Sequence, residues 1–310
     1  MPNILITGGA GFIGSNLANF LSNSPRNQIT IVDNLSTGSK SYVPKKSNTK
    51  FIKTDVNDAE QISKTLTERT FDYVYHYAAV VGVQRTLQNP IAVLRDIDGI
   101  KNILEICKAH KAKRIFFASS SEVYGEPVEM PQHEETTPLN SRLPYAVVKN
   151  VGESFLRSYK QEYGLDYTIL RFFNTYGPRQ SADFVISKFL DAALSGKDIT
   201  VYGDGQQTRT FCYVADNVEA TINAISDRKT IDQVVNIGND QEITILDLAK
   251  KIIVATGTKS KIKLLPPLKE GDMTRRQPDV TKMKKLLGRG FTNLDDGIRQ
   301  LIDYKKRLRT

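Results

Sequence analysis

The chain has 310 residues, 40% of them hydrophobic and 25% charged, which is ordinary for a globular protein of one large or two modest domains. No run approaches the roughly 18 apolar residues of a membrane-spanning helix. A predicted strand follows the first residues directly, so we expect no secretion signal. The two cysteines, Cys107 and Cys212, are too few for a disulfide framework or a cysteine zinc site and favour a reducing cytoplasm.

The formal net charge of +9 raises the possibility of nucleic-acid binding. The basic residues are dispersed, however, in VPKKSNTK (43–50), KAHKAKR (108–114) and KKRLRT (305–310), and no aromatic residues alternate with them. We therefore expect a solvated basic face that mildly steers anionic substrates, with no nucleic-acid and no membrane partner.

The first half of the chain alternates short apolar runs with amphipathic helical patterns. The apolar runs are NILIT (3–7), QITIVD (28–33), KFIKTD (50–55), FDYVYHYAA (71–79), KRIFFASSS (113–121) and DYTILRFF (166–173). A long helical pattern covers residues 90–110. Continuous apolar strands separated by helices predict an α/β fold with a doubly wound parallel sheet of the Rossmann type.

After about residue 175 the alternation stops and turn-rich segments follow. VVNIG (234–238) predicts a strand, and residues 243–257 and 294–308 predict helices. We divide the chain into a domain of residues 1–175 plus about 214–240 and a smaller, loop-rich α/β domain of about 176–213 plus 241–310.

The segment TGGAGFIG (7–14) contains G-x-G-x-x-G as Gly9, Gly11 and Gly14. It follows a strand, opens a helix and precedes an acid, Asp33, that ends the second strand 19 positions after Gly14. This context predicts a dinucleotide site, rather than a glycine-rich turn that binds nothing. Asp33 would accept hydrogen bonds from a ribose and repel a 2′-phosphate, which favours NAD over NADP. Asp55 and Val56, at the end of the third strand, could flank the adenine.

Two further segments carry reactive side chains. YAVVK (145–149) places Tyr145 and Lys149 one helical turn apart, so a cationic Lys149 should lower the pKa of the Tyr145 phenol and make it a general base. SSSEVYG (119–125) ends a strand with hydroxyl groups and then a carboxylate, Glu122. Tyrosine–lysine spacing alone is common, but here a dinucleotide motif and a serine-bearing strand end accompany it.

The chain resembles the extended short-chain dehydrogenase/reductases, within the NAD-dependent nucleotide-sugar epimerase/dehydratase/decarboxylase family. The matching segments are TGGAGFIG, VDNLSTG, YHYAA, SSSEVYG, YAVVK, RFFNTYGPRQ, VYGDGQQTRTFCYVADN and RRQPDVTKMKKLLG. The resemblance implies that Tyr145, supported by Lys149 and Ser120, removes the O4 proton of an NDP-sugar while hydride passes from C4 to NAD, which is regenerated within the turnover.

The resemblance also implies site residues. The expected cofactor contacts are Gly8, Gly11, Phe12, Ile13, Gly14, Asp33, Asn34, Asp55, Val56, Tyr77, Ala78, Ala79, Tyr145 and Lys149. The expected substrate contacts are Ser120, Ser121, Asn174, Arg209 and Arg276, the two arginines on the diphosphate. The nucleotide diphosphate is expected in the second domain. For each arginine taken alone, a surface salt bridge is the competing interpretation.

The resemblance leaves the fate of the 4-keto sugar open. Glu122 in the catalytic set favours a lyase, either a 4,6-dehydratase or a glucuronate decarboxylase, over a 4-epimerase. The chain departs from dehydratases in having Ser121 where they place an acid, from decarboxylases in the short segment 178–189, and from several relatives in having Val81 for a serine. A non-catalytic NAD-binding regulator would be expected to lack the Tyr145–Lys149 pair. The helical segments 90–110 and around Tyr145 resemble those that pair in family homodimers.

Overall fold

The structure is a computed structural model that describes residues 1–267 and 275–308; the last two residues of the basic run 305–310 lie outside it. The strands are β1 (Asn3–Thr7), β2 (Gln28–Asp33), β3 (Thr49–Lys53), β4 (Tyr73–His76), β5 (Arg114–Ser120), β6 (Asp166–Phe172), β7 (Thr175–Tyr176), β8 (Ile199–Tyr202), β9 (Thr208–Thr210), β10 (Cys212–Tyr213), β11 (Gln233–Ile237), β12 (Glu242–Thr244) and β13 (Ile262–Leu265). The helices are α1 (Phe12–Leu21), α2 (Ala59–Leu66), α3 (Val83–Gln88), α4 (Pro90–Leu94), α5 (Asp96–Ala109), α6 (Pro144–Tyr163), α7 (Val185–Leu194), α8 (Val214–Ser226), α9 (Ile245–Thr256), α10 (Thr281–Leu287) and α11 (Leu294–Arg307).

Seven strands form one sheet in the order β11-β6-β5-β4-β1-β2-β3. The central strand β1 pairs in parallel with both neighbours, Ile4 opposite Ile29 on β2 and Leu5 opposite Val74 on β4. The predicted doubly wound parallel sheet is therefore confirmed. Because the chain leaves β1 toward β2 and later returns on its other side at β4, the strand order reverses between β1 and β4, the position where such sheets bind ligands.

One face of this sheet is covered by α2, α4, α5 and α6. The side chains that fill this layer are Leu5, Val32, Val74, Ile115, Phe117 and Ile169 from the strands and Ile62, Val93, Ile100, Leu104, Val148 and Leu156 from the helices. Strands with apolar residues at successive positions are typical of a sheet that is covered on both faces.

The helical pattern predicted over 90–110 is divided into α4 and α5. Pro90 starts α4, where its missing N–H costs no helical hydrogen bond. Arg95, between the two helices, keeps a helical backbone with φ −63° and ψ −21°, so the interruption is a single residue.

The chain forms two compact units. The first comprises residues 1–123, 141–171 and 221–235, and the second comprises 124–140, 172–220 and 236–310. The sequence-based division assigns residues 124–140, 172–175, 214–220 and 236–240 to the first domain, but in the structure they belong to the second unit. For residues 124–140 the reason is long-range hydrogen bonding: the Gln132 N–H donates to the Gln277 carbonyl at 2.8 Å, and the Asn236 N–H donates to the Glu134 side-chain carboxylate at 2.9 Å.

Across the described ranges, every helix is too short or too polar to span a lipid bilayer.

Candidate active site

The loop between β1 and α1 lies directly against the chain that follows β4. Gly8 has a φ of +68°, and a Cβ on it would lie 2.7 Å from the Ala78 nitrogen and from the Tyr77 carbonyl carbon. A Cβ on Gly14 would overlap the carbonyl oxygen of Gly8. Glycine is therefore required at both positions: a side chain on Gly8 would separate this loop from the carboxyl end of β4, and one on Gly14 would force the loop itself apart.

Helix α1 presents an open N-terminus at this loop. Its N-cap is Gly11, which supplies no side-chain hydrogen bond to the first turn. The first-turn N–H groups of Phe12, Ile13 and Gly14 cannot find partners within their own helix, and with the helix dipole they favour an anion such as a pyrophosphate.

Asp33, at the end of β2, is 8% exposed. Its Oδ2 accepts the Ala10 N–H at 3.0 Å and its Oδ1 accepts the Leu35 N–H at 2.8 Å. An ionised carboxylate has about four acceptor positions, so Asp33 retains capacity for ribose hydroxyls. The carboxylate thus fixes the glycine loop and can also serve the role predicted from sequence.

Asn34, Asp55 and Val56, which are also predicted to contact the cofactor, differ in their surroundings. Asn34 donates to the Asp55 carboxylate at 3.0 Å, whereas the Val56 side chain is buried, 7% exposed, in the core.

The segment that follows β4 contacts the glycine loop mainly through its backbone. The N–H groups of Tyr77 and Ala78 approach the Thr7 hydroxyl at 3.2 and 3.3 Å, and that hydroxyl hydrogen-bonds His76 Nδ1 at 2.8 Å. The Tyr77 phenol packs edge-on against Tyr75, with ring centres 6.0 Å apart. Burial raises the pKa of Tyr77, and a hydrogen bond with a threonine opposes that rise. Tyr77 therefore contacts the glycine loop through its main chain.

The four predicted catalytic residues lie within the first unit. Tyr145 and Lys149 stand in the first two turns of α6, and the Lys149 Nζ lies 5.6 Å from the centre of the Tyr145 ring. Ser120 ends β5, and its Oγ accepts the Glu122 N–H at 3.1 Å. A hydrogen bond from Ser120 and the charge of Glu122 both act on the Tyr145 phenol. A phenol, an ammonium, a hydroxyl and a carboxylate therefore share one site.

The predicted lowering of the Tyr145 pKa is wrong. Burial raises the pKa of Tyr145, the Glu122 charge raises it further, and the Ser120 hydrogen bond opposes these effects only in part. Desolvation disfavours the phenolate more strongly than the surrounding dipoles favour it.

Lys149 is 3% exposed, and its Nζ lies 5.0 Å from the Phe117 ring centre. Within residues 1–267 and 275–308 it makes neither a hydrogen bond nor an ion pair. Burial lowers the pKa of Lys149 to about 8, and the charge of Asp96 acts in the opposite direction. Because a buried ammonium with unused donors is costly, this side chain fits a ligand that brings acceptor oxygens, such as the ribose hydroxyls of a dinucleotide.

Two buried acids near the site are not identified from the sequence. Glu153, one turn beyond Lys149 on α6, is fully buried and binds Arg171 of β6 through Nε at 2.9 Å and a second nitrogen at 2.7 Å. It also accepts the Ser119 hydroxyl at 2.7 Å. Asp96 is buried at the start of α5. Their spacing from apolar neighbours, three or four residues on a helix, was the available signal that both face the core.

Three of the predicted substrate contacts, including both arginines expected at the diphosphate, belong to the second unit. Asn174 has a φ of +32° and donates its side-chain amide to the Thr210 carbonyl at 3.0 Å. Arg209, on β9, is 8% exposed and Arg276 is 5% exposed. The interpretation as surface salt bridges is therefore wrong for both arginines.

Comparison with known proteins identifies the family. A model of the NAD dependent epimerase/dehydratase family matches residues 4–238. The chain is 39% identical over 297 residues to a UDP-N-acetyl-α-D-glucosaminuronate decarboxylase of Bacillus cytotoxicus, covering 91% of this chain and 90% of that protein.

Two solved structures share the fold over nearly the whole chain. A UDP-glucose 4-epimerase of Thermotoga maritima, solved with UDP-glucose, has a TM-score of 0.93 at 31% identity and covers 99% of this chain and 100% of that one. A UDP-glucose 4-epimerase of Thermus thermophilus, solved with NAD, has a TM-score of 0.90 at 31% identity and covers 98% and 99%.

Three features fit a bound dinucleotide: the tight glycine loop between β1 and α1, the α1 N-terminus without a side-chain cap, and the Lys149 donors, which have no partner among the described residues. The family match and the relatives thus agree with the site: the chain is an enzyme of the NAD dependent epimerase/dehydratase family and uses NAD as its cofactor.

Proposed function

We propose that the enzyme is a lyase that decarboxylates a UDP-linked hexuronic acid after transient oxidation at C4. When bound, NAD supplies the acceptor for the C4 hydride and the donor that returns it. Tyr145 accepts the O4 proton in its phenolate form, the Ser120 hydroxyl hydrogen-bonds the same oxygen, and Lys149 holds the cofactor ribose. The product of this first step is a 4-keto sugar.

The observation that carries the lyase assignment is Glu122, whose charge acts on the Tyr145 phenol. A ketone at C4 turns a C6 carboxylate into a β-keto acid. Loss of carbon dioxide then breaks the C5–C6 bond and leaves the electron pair as an enolate, which takes a proton at C5. We assign this proton transfer to Glu122, which takes up a proton from solvent, passes it to C5 and returns to its ionised form, so that each turnover consumes one solvent proton. Dehydration would instead need an acid for the leaving hydroxyl, and the neighbouring Ser121 is a poor one.

The reaction is tested by incubating the purified protein with UDP-, dTDP-, GDP- and CDP-sugars, including uronic acids, and following the products by NMR. A UDP-pentose from a UDP-hexuronate is the expected product. Formation of a 4-keto-6-deoxy sugar would show that the enzyme is a dehydratase and not a decarboxylase. Formation of the C4 epimer alone would reject the lyase in favour of the second candidate, a 4-epimerase. The resemblance to the Thermotoga maritima enzyme supports this second candidate.

Two variants separate the steps. Tyr145→Phe should lower turnover at least about a hundredfold, as removal of a general base does. Glu122→Gln should still form reduced nicotinamide, visible by its absorbance, while release of carbon dioxide falls. Tyr163→Phe, on the exposed end of α6, and Glu126→Gln, also exposed, are the matched controls. Unchanged carbon dioxide release in Glu122→Gln would remove Glu122 from the mechanism.

For substrate binding we propose that Asn174, Arg209 and Arg276 hold the diphosphate of the UDP-sugar. Loss of a charge-assisted hydrogen bond costs about 1.5–3 kcal/mol, so Arg276→Met should raise KM roughly 10- to 100-fold. The adjacent Arg275 is paired with Glu242 at 2.6 Å, and Arg275→Met serves as the control. Equal effects at both positions would argue against a specific diphosphate contact.

We also propose a homodimer formed through α4, α5 and α6, since apolar side chains on two of these helices are exposed. Ile91 is 66% exposed, Leu94 38% and Val147 38%. Sizing by light scattering should give twice the monomer mass for the native chain and a smaller mass for Ile91→Asp. The compartment we propose is the cytoplasm, where the buried free thiols of Cys107 and Cys212 would stay reduced.

A further inference from the structure

Asp96, the first residue of α5, is a buried charge that the proposed reaction does not use. It is 7% exposed. Its Oδ2 accepts the Val80 N–H at 2.7 Å and its Oδ1 accepts the Asn57 side-chain amide at 3.3 Å. Both donors are neutral, so these hydrogen bonds bring no counter-charge to the carboxylate, and an uncompensated charge in the core is costly.

The packing of α5 on α6 brings Asp96 and Lys149 to the same end of the helix pair. Each helix joins two neighbouring parallel strands, so α5 and α6 run in the same direction. They are in close contact where a Cβ on Gly152 would lie 3.1 Å from Ile100 Cδ1. Asp96 precedes Ile100 by four residues and Lys149 precedes Gly152 by three, so both stand about one turn before this contact.

The electrostatic influence between the two residues is mutual. Burial lowers the pKa of Lys149 and the Asp96 charge raises it. Burial raises the pKa of Asp96, while the Val80 N–H and the Lys149 charge lower it. Asp55, after β3, adds a smaller effect that raises the pKa of Asp96.

The remaining titratable groups around Lys149 do not replace Asp96 as its counter-charge. His76 on β4 is neutral at neutral pH, because burial and then the Lys149 charge lower its pKa to about 3. Glu122 acts on Tyr145 and is not among the groups that shift the pKa of Lys149.

We propose that Asp96 is a positioning residue of the active site: its carboxylate is the counter-charge of the Lys149 ammonium, and its hydrogen bond to Val80 fixes the loop after β4. Asp96 acts through Lys149 and touches no reacting atom. The inference rests on the proposed role of Lys149 beside Tyr145. It adds that the charge state of the active site is set from α5, outside the segments that carry the catalytic side chains.

The direct test is an NMR titration of Lys149 in the full chain labelled with ¹³C at lysine Cε, with Lys149→Arg used to assign the signal. Asp96→Asn keeps the side-chain shape and an acceptor for Val80 but removes the charge. Its Lys149 midpoint should fall from about 8 in the native chain by at least about 0.5 pH unit. Asp98→Asn, two residues later and exposed on the same first turn, should leave the midpoint unchanged. An unmoved midpoint in Asp96→Asn would overturn the proposal.

Lys149→Met provides a reciprocal measurement that stands if Asp96→Asn does not fold. The Asp96 carboxyl midpoint, followed by ¹³C NMR, should rise by at least about 0.5 pH unit when the ammonium is removed. No rise would equally overturn the proposal.

The pH–rate profile distinguishes this role from a merely structural one. In Asp96→Asn both limbs should move to lower pH, because Lys149 loses its proton earlier and Tyr145 loses a charge that raises its pKa. Profiles that differ only in height would assign Asp96 to folding alone. The two titrations use no sugar nucleotide, so their outcome is independent of the product. A 4-epimerase with a shifted Lys149 midpoint would reject the lyase and retain this inference.

Discussion

Replacing Glu153 should be among the most damaging single changes to stability in the first unit. Its carboxylate is fully buried and accepts hydrogen bonds from Arg171, Ser119 and Arg157, at 2.7 to 3.2 Å. Glu153→Ala would leave the Arg171 guanidinium, 2% exposed, as a buried charge without its counter-ion. Removing one partner of such a pair costs about 3–5 kcal/mol of the free energy of unfolding.

The assay is urea unfolding followed by far-UV circular dichroism, since the chain has no tryptophan. Glu162→Ala, exposed on the same helix, is the control and should change the free energy of unfolding by no more than about 0.5 kcal/mol. The double variant Glu153→Ala, Arg171→Leu should lose less than the sum of the two single losses, because no lone charge then remains. Strictly additive losses would refute the reasoning.

The same pair gives a pH dependence. Burial tends to raise the pKa of Glu153, but the hydrogen bonds and charge of Arg171, with help from Ser119 and Arg157, bring it below its ordinary value. A carboxyl whose pKa is lower in the folded state stabilises the fold above its unfolded pKa of about 4.3. The stability difference between the native chain and Glu153→Gln should therefore be constant above that pH and shrink as the pH falls through the lowered pKa. A difference that stays constant down to pH about 2 would contradict the assignment of this charge.

Three further results are expected. Gly14→Ala should weaken NAD binding at least about tenfold by calorimetry, because its Cβ would overlap a carbonyl of the same loop. Gly290→Ala should not, since no atom of the described residues lies within 4 Å of its Cβ. Asp33→Ser should raise the ratio of NADP to NAD affinity, since it removes the charge that would repel a 2′-phosphate; an unchanged ratio would show that another group selects the cofactor. The thiols of Cys107 and Cys212 are buried with raised pKa values, so a colorimetric thiol reagent should detect neither in the folded chain and both in urea.

The sheet was predictable because its signal is local. Each strand is a short apolar run, and the glycine loop, the serine-bearing strand end and the Tyr145–Lys149 pair each occupy a few consecutive residues. The carboxyl ends of parallel strands share one edge, so these segments could be assigned to one site without coordinates.

The predictions that the structure contradicts depend on long-range contacts or on burial. The sequence places Lys149 one turn from Tyr145 but does not reveal that desolvation, together with the Glu122 charge, outweighs any charge assistance and raises the phenol pKa. The packing of residues 124–140 within the second unit rests on pairing with residues more than 100 positions away. Asp96 was readable in principle, since Val93, Asp96 and Ile100 follow the helical spacing of a buried face, but an acid in a first helical turn also suits the helix dipole.

Gly99 and Gly152 lie inside helices, where alanine is normally the better residue, and both would be early choices in a programme to improve heat resistance. In this protein, we expect both replacements to lower the stability of the fold. A methyl group on Gly152 would collide with the Phe117 ring, and one on Gly99 would collide with the Asn57 side chain. Libraries built to stabilise this protein should therefore leave both positions untouched, although neither glycine is among the residues assigned to catalysis or binding.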